Sequence, residues 1–278
     1  IGTGNYVVAS STNFATISNL SPGTTYYFQV FEVNVSGTQY MYNTASGTNN
    51  PASTTTLFPE PNSQAFNYSF TAVTDVSMLI NWISGNGTER AVVVSKNGGL
   101  AFVPVDGVSY TGNSNYGLAP EISAGSENRV VYRGTGSSVL LTGLQPGTNY
   151  AVGVFELNGT GSSTNYLTTV NVSTSYTLST EPSAQPASLT ATSSSPTQIN
   201  LAFPAASTIP NASGYLILRR SDGVNPDATG IVDGADPFSQ LLPGSTTLLT
   251  TVPSATTTFN DLAVVPNTKY NYAIIPYN

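Results

Sequence analysis

The sequence predicts an all-β protein made of tandem β-sandwich repeats, and three recurring segments predict it. Residues 19–34 return at 143–158 and, more loosely, at 261–278. Residues 60–64 return at 181–185 after 121 residues, and a strand that ends in Trp82 returns after the same interval as one that ends in Phe203. Three markers that share one period indicate a repeated structural unit of about 121 residues.

The repeat unit is predicted to consist of strands throughout. Residues 77–82, 91–95 and 150–155 are alternating runs rich in β-branched and aromatic side chains, which is typical of strands. Turn residues such as Pro146-Gly147 separate the runs. Because no segment shows a sustained helical period, several short strands with frequent turns predict a sandwich.

The repeat divides the chain into three predicted units. Residues 1–58 are the C-terminal part of a repeat, 59–180 a complete repeat, and 181–278 a repeat that lacks its last strand. In the first unit we expect only the last strands, at 6–8, 15–17, 25–31 and 54–57. The tryptophan-bearing strand is not expected there.

The incomplete outer units are open to two interpretations. The first is that the sequence is a window on a longer array. The second is that another copy of the chain supplies the missing strands, which would build a homopolymer by β-augmentation.

Composition favours an extracellular or cell-surface protein. Only 8% of the residues are charged, against about 25% in an ordinary globular domain, so Ser, Thr, Asn and Gly must supply the polar surface. The net charge is −7 without clustered Lys or Arg, which excludes a nucleic-acid footprint. No apolar run approaches the ~18 residues that a membrane span needs.

The residue inventory predicts that this chain is not an enzyme. It contains no His and no Cys, which removes the commonest general base and any thiol chemistry. Glu32 and Glu156 follow Phe at the same repeat position, and we expect both to be exposed strand-end residues. We therefore predict no catalytic residue, no cofactor and no metal site.

Two charged groups in the last unit have alternative interpretations. Asp222, Asp227, Asp233 and Asp236 form the densest acidic stretch, which we expect to be a solvated loop, with a bound cation as the alternative. The adjacent Arg219-Arg220 pair is expected to meet a carboxylate, with an anionic glycan as the alternative.

The aromatic residues raise the question of a glycan surface. Trp82 is the only tryptophan, and its place in the repeat predicts a core position. Tyr side chains in loops are suited to interfaces. Two alternatives are open for the tyrosines in loops: they pack against the next repeat, or they contact a glycan. The residues concerned are Tyr40, Tyr42, Tyr110, Tyr116 and Tyr166.

The repeated motifs resemble Ig-like sandwiches of the fibronectin type III family. The Leu-x-Pro-Gly-Thr-x-Tyr motif of residues 144–150, followed by an alternating strand, resembles the corner before the family's sixth strand. This resemblance implies a tyrosine corner, in which the hydroxyl bonds back to the nearby backbone, at Tyr26, Tyr150 and Tyr270. It also implies that Trp82 is the core tryptophan of the second strand, with Phe203 in its place in the last repeat.

The repeat exceeds the ~100 residues of an ordinary sandwich of this kind. The additional residues fall near 108–126 and 223–243. These segments resemble the enlarged repeats of large secreted and surface proteins of the Bacteroidota, which are adhesins, filaments or multidomain exoenzymes.

The function expected from these observations is structural or adhesive: a segment of an extracellular repeat protein or surface filament. Its partners would be neighbouring repeats, copies of the same chain and a glycan surface. The alternative is a spacer or carbohydrate-binding module of a secreted multidomain enzyme.

Overall fold

The protein was analysed as a computed structural model that describes residues 6–97, 99–123 and 125–278. The described residues form β-strands joined by turns and three short 3-10 segments, so the all-β prediction is confirmed. The chain divides into two compact units. The first contains residues up to 144 together with 149–176, and the second contains 145–148 and the residues from 177 onward.

The first unit begins with two small two-stranded sheets. In the first sheet β1 pairs with β4, and in the second β2 and β3 form a hairpin, all antiparallel. The strands are β1 (Thr25–Phe28), β2 (Glu32–Ser36), β3 (Gln39–Asn43) and β4 (Ala52–Thr55). The strands predicted at 6–8 and 15–17 are wrong: those residues are exposed and do not form strands.

The rest of the first unit is a two-sheet sandwich. One sheet has the order β5-β6-β9, and the other has the order β11-β10-β7-β8, with β12 also paired to β10. The strands are β5 (Phe66–Thr71), β6 (Met78–Ile83), β7 (Glu89–Lys96), β8 (Asn128–Gly134), β9 (Ser138–Leu141), β10 (Asn149–Asn158), β11 (Asn165–Tyr166) and β12 (Val172–Tyr176).

The main core of this sandwich lies between its two sheets. Alternate side chains of β6, among them Ile80 and Trp82, meet those of β10 and β7, such as Val152 and Val92. Trp82 is 4% exposed and its ring lies 5.8 Å from that of Tyr132. The predicted core role of Trp82 is therefore confirmed.

A second apolar cluster covers the outer face of the larger sheet. Val93, Phe155 and Tyr166 are buried there beneath Phe102 and Tyr110, which belong to the enlarged segment between β7 and β8. The enlarged segment is thus a lid, and β7 and β10 are buried on both faces.

The second unit repeats the same sheet arrangement. Its sheets have the orders β13-β14-β17 and β16-β15-β18. Leu201, Phe203, Tyr215, Ile217 and Ile274 form the core between them. The strands are β13 (Thr190–Ser195), β14 (Gln198–Ala202), β15 (Gly214–Arg220), β16 (Thr247–Pro253), β17 (Thr258–Asp261) and β18 (Asn271–Tyr277).

Both sandwiches share one strand order. Counted along each repeat, the first, second and fifth strands form one sheet, and the third, fourth and sixth form the other. This is a fibronectin type III-like arrangement, so the predicted fold class is confirmed. The unit limits at 58/59 and 180/181 stay a prediction.

Candidate functional site at the joint between repeats

The turn before the sixth strand of each repeat contains a residue with a left-handed backbone. Gly23 and Gly147, each preceded by Pro, have φ of 58° and 57°, and Asn267 occupies this place in the last repeat with φ of 57°. Glycine adopts this conformation without strain, and Asn is among the few other residues that tolerate it. The recurring Pro-Gly and Pro-Asn pairs therefore encode one turn.

Tyrosine hydroxyl groups fix this turn to the strand that follows. The backbone N–H of Ser21 donates to the hydroxyl of Tyr26 at 2.9 Å, and the N–H of Val265 donates to that of Tyr270 at 3.0 Å. Both bonds span five residues. The tyrosine corner implied by the resemblance is confirmed at these two positions, and the equivalent Tyr150 is fully buried.

A threonine just after the last strand of the repeat closes the same turn. The hydroxyl of Thr56 accepts a bond from the N–H of Thr24 at 3.0 Å and donates to the carbonyl of Ser21 at 2.7 Å. The N–H of Gly23 donates to the carbonyl of Leu57 at 3.0 Å. We call this set of bonds the threonine clasp.

The second unit contains a second threonine clasp. The hydroxyl of Thr177 accepts from the N–H of Thr148 at 3.0 Å and donates to the carbonyl of Gln145 at 2.6 Å. The N–H of Gly147 donates to the carbonyl of Leu178 at 2.8 Å. Because both clasps use the same atoms at equivalent positions, the clasp is a repeated feature of the joint.

Backbone bonds attach the linker after the first clasp to the next sandwich. The N–H of Phe58 donates to the carbonyl of Ser163 at 3.0 Å. The side-chain amides of Asn165 and Asn158 donate to the carbonyls of Phe58 and Pro59, both at 2.8 Å. Asparagine anchors therefore fix the linker just where it enters the second repeat.

The ring of Phe58 contacts glycines on both sides of this joint. A Cβ atom added to Gly159 would lie 2.6 Å from the ring, and one added to Gly23 would lie 3.0 Å from it. Gly23 belongs to the turn of the first repeat, whereas Gly159 follows β10 of the second. Phe58 thus packs between two successive repeats, and its ring fits there because neither glycine has a side chain.

The second unit contains a counterpart of one asparagine anchor. The side-chain amide of Asn278 donates to the carbonyl of Thr180 at 3.0 Å, as Asn158 does to Pro59. Asn158 ends the sixth strand of its repeat and Asn278 directly follows the sixth strand of the next, and both accepting carbonyls precede a Glu-Pro pair.

Further polar side chains hold the segment before β5, through which the chain enters the second repeat. The side-chain oxygen of Asn86 accepts from the N–H groups of Asn62 and Ser63 at 3.0 and 2.9 Å. The side-chain oxygen of Gln64 accepts from the N–H of Glu156 at 2.7 Å. These bonds replace a regular strand ladder along this segment.

Glu156 is a buried structural residue, and the expectation that it is exposed is wrong. Its carboxylate accepts from the N–H groups of Gly85 and Gly87 at 2.8 and 3.0 Å and from Arg90 Nε and Nη2, both at 3.2 Å. It is buried because its side chain lies on the same face of β10 as the core residues Val152 and Val154, where the segment before β7 and the side chain of Arg90 enclose it. Glu32, at the equivalent position, is exposed as expected.

The expected pairing of the adjacent arginines is confirmed for both of them. Arg219 contacts Asp261 at 2.9 Å, and Arg220 contacts Asp222 at 2.7 Å. Asp261 is 3% exposed and also accepts from the hydroxyl of Tyr272 at 2.8 Å. Neither guanidinium is therefore left without a carboxylate.

The loop aspartates serve the backbone of their own loop. Arg220 holds the pKa of Asp222 well below its usual range, and the N–H and side chain of Thr229 lower that of Asp227. Asp236 accepts from the N–H of Phe238 at 3.0 Å. Among residues 6–97, 99–123 and 125–278, no three acidic side chains converge as a metal site would require.

The five loop tyrosines separate into two groups. Tyr116 and Tyr166 are 6% and 0% exposed, and Tyr110 packs against the ring of Tyr166 at 6.0 Å. These three pack inside their own repeat, so for them both alternatives, packing against the next repeat and contact with a glycan, are wrong. Tyr40 and Tyr42, on β3, are exposed.

The hydroxyl of Tyr116 is part of the internal packing. It donates to the carbonyl of Glu127 at 2.6 Å. Burial and the nearby charge of Glu127 raise the pKa of Tyr116 to about 12.

Comparisons with known proteins return fibronectin type III tandems. No protein-family model and no curated protein matches the chain. A two-domain fibronectin type III segment of chicken tenascin is 12% identical, with a TM-score of 0.31, 77% of this chain covered and 91% of that one. The FN1–FN3 domains of chicken CNTN1 are 14% identical, with a TM-score of 0.40 and coverage of 94% and 74%.

The chain is also similar to the central fibronectin III array of RIM-binding protein, at 16% identity with a TM-score of 0.26 and coverage of 55% and 45%. In the part of the chain that the structure describes, no helix has the length and hydropathy needed to cross a bilayer.

Proposed function

We propose that this chain is a structural and adhesive segment of an extracellular repeat protein or surface filament, in which sandwiches are spaced by a fixed joint. The joint is the observation that carries the proposal. One threonine clasp recurs in both units, and Phe58 with two asparagine anchors attaches the linker to the second repeat. A linker bonded on both sides transmits force and orientation, whereas a flexible linker would transmit neither.

The composition supports secretion to the cell surface. A chain with only 8% charged residues has little electrostatic repulsion at its surface, so copies can approach one another closely. The enlarged segments support a surface protein of the Bacteroidota type that they resemble.

The proposal contains no catalytic step. Five carboxylates are paired with arginines, and the chain has neither His nor Cys. The nearest approach to a catalytic arrangement, Glu156 beside Arg90, is sealed from solvent and fully hydrogen-bonded.

The exposed hairpin supports further repeats or copies of the same chain as partners. Val33 lies opposite Tyr42 and Val35 opposite Tyr40, and all four are exposed. In the second repeat, the positions equivalent to Val33 and Tyr42 are Leu157 and Tyr166, which are buried in the second apolar cluster. An apolar hairpin face of this kind is suited to packing on another sheet.

Electron microscopy of native protein from the producing cells tests the structural proposal, together with fractionation of those cells. We expect regular fibres in the surface or secreted fraction. Recovery of the protein as a compact particle inside cells would contradict it.

A cleft in the second unit favours a second candidate function, a carbohydrate-binding segment or spacer of a secreted enzyme. Short stalks that bear a compact head in the micrographs would support this alternative over a filament.

A further inference from the structure

The second unit contains an open cleft of about 430 Å³ between the sheet β16-β15-β18 and the enlarged loop. Leu216, Thr251 and Tyr277 form the floor, one from each strand of the sheet β16-β15-β18. Residues 231–240 of the loop form the wall. The volume falls within the ~300–1,000 Å³ of small-molecule sites.

The wall of the cleft is held in place by its own hydrogen bonds. The side-chain oxygen of Gln240 accepts from the N–H of Val232, and its amide donates to the carbonyls of Val232 and Ala235, the latter two at 3.3 Å. Asp236 caps the short 3-10 segment that begins at Pro237. A wall fixed before binding loses little conformational freedom when a ligand enters.

The lining combines negative charge with aromatic surface. Asp233 and Asp236 line the cleft together with the rings of Phe238 and Tyr277, and no lysine or arginine lines it. Among the described residues, the carboxylate of Asp233 has no hydrogen-bond or ion-pair partner, whereas that of Asp236 caps the backbone. Phe238 is 59% exposed.

In the second repeat, which belongs to the first unit, the corresponding face of the sandwich is closed. There Phe102, Tyr110 and Tyr166 cover the outer side of the larger sheet, and only about 170 Å³ remains beside Tyr110. The cleft of the second unit thus lies on the face that the lid covers in the second repeat.

We propose that this cleft binds a protonated amino-sugar residue of a polysaccharide, an inference that deepens the second candidate function. A cation is favoured where two carboxylates face an aromatic surface without a basic residue. A sugar ring offers C–H groups to Phe238 and Tyr277, and its hydroxyl groups can donate to Asp233. The acidic chain, with a net charge of −7, disfavours an anionic glycan in the same place.

Three ligands that differ in charge and ring structure test the proposal on the full chain by calorimetric titration. These are a glucosamine hexamer, the N-acetylglucosamine hexamer, which has the same rings without the positive charge, and a lysine hexamer, which has the charge without the rings. We expect saturable binding of the glucosamine hexamer, weakened by added salt and at least about tenfold weaker for the other two.

Two variants locate the site. Asp233→Asn and Phe238→Ala should each weaken the binding of the glucosamine hexamer about tenfold, because they remove the free carboxylate and an exposed ring. Matched controls outside the cleft, Glu60→Gln and Tyr176→Ala, should leave it unchanged. Both cleft residues are exposed, so the variants should keep the unfolding temperature of the unaltered chain.

Each contrary result overturns the inference. Equal binding of the acetylated hexamer removes the role of charge, equal binding of the lysine hexamer removes that of the sugar, and no binding of the glucosamine hexamer removes the site. Binding that is unaffected by Asp233→Asn and Phe238→Ala assigns it to another surface. None of these results alters the joint, so the structural proposal is tested separately.

Discussion

Replacing Glu156 by Gln should destabilise the second repeat by about 3 kcal/mol. The carboxylate accepts four hydrogen bonds, two from backbone N–H groups and two from Arg90, and it is fully buried. Removing one partner of a buried ion pair costs about 3–5 kcal/mol. The lower end applies because Arg90 also donates to the carbonyls of Thr135, Gly136 and Gly87 at 2.6, 3.3 and 3.1 Å.

Urea denaturation followed by tryptophan fluorescence measures this loss. Trp82 is the only tryptophan and lies in the core of the same repeat, so the signal reports on that repeat alone. Glu121→Gln is the matched control, since Glu121 pairs with Arg129 at 2.8 Å with a carboxylate that is 38% exposed. It should cost less than about 1 kcal/mol. A loss below about 1 kcal/mol for Glu156→Gln would refute the structural role assigned to this carboxylate.

Two further predictions concern the clasp and the loop of the second unit. Thr177→Val should lower the free energy of unfolding by about 1–3 kcal/mol, because the half-buried N–H of Thr148 loses its acceptor. Thr177→Ser keeps the hydroxyl and should retain most of that stability. Equal stability of the two variants in urea would show that the hydroxyl does not hold the joint. Arg220 lowers the pKa of Asp222 in the folded state. The ionised carboxylate therefore stabilises the fold at a pH above its unfolded pKa of about 3.9, and this stabilisation is lost as the pH falls below that value. Unfolding is followed by circular dichroism at pH 7 and 2.5. The free energy of unfolding should therefore fall less between these pH values for Asp222→Asn than for the unaltered chain. An equal fall in the two chains would contradict the ion pair.

The sequence was sufficient to predict features that depend on local chemistry. The Pro-Gly turns, the corners at Tyr26 and Tyr270 and the burial of Trp82 all follow from short motifs whose geometry is decided within a few residues. The expected pairing of Arg219 and Arg220 with carboxylates was also correct, since a buried stem with a charged head usually finds an opposite charge.

The features that the sequence did not predict depend on contacts between distant segments. The lid places Phe102 and Tyr110 over Phe155 and Tyr166, which lie some 50 residues later in the chain, and no local pattern records that contact. The burial of Glu156 likewise depends on Gly85, Gly87 and Arg90, some 70 residues earlier. One signal was present: residues 91–94 read Ala-Val-Val-Val without alternation, which is typical of a strand covered on both faces.

The joint itself was only partly visible in the sequence. The segments 60–64 and 181–185, which recur after 121 residues, indicated where the repeats meet, but the threonine clasp and the asparagine anchors follow from the side-chain positions alone. Phe58 has Ser179 at the equivalent position, so the repeat pattern could not identify it as a packing residue.

The most direct test of the account is a distance measurement across the first joint. The chain has no cysteine, so spin labels at Ser53→Cys and Ser138→Cys, both exposed, attach at these two sites alone. Double electron–electron resonance should give one narrow distance distribution. The distribution should broaden when Phe58, Asn158 and Asn165 are all replaced by Ala. A broad distribution in the chain that retains these three residues would contradict a fixed joint and the spacing function built on it.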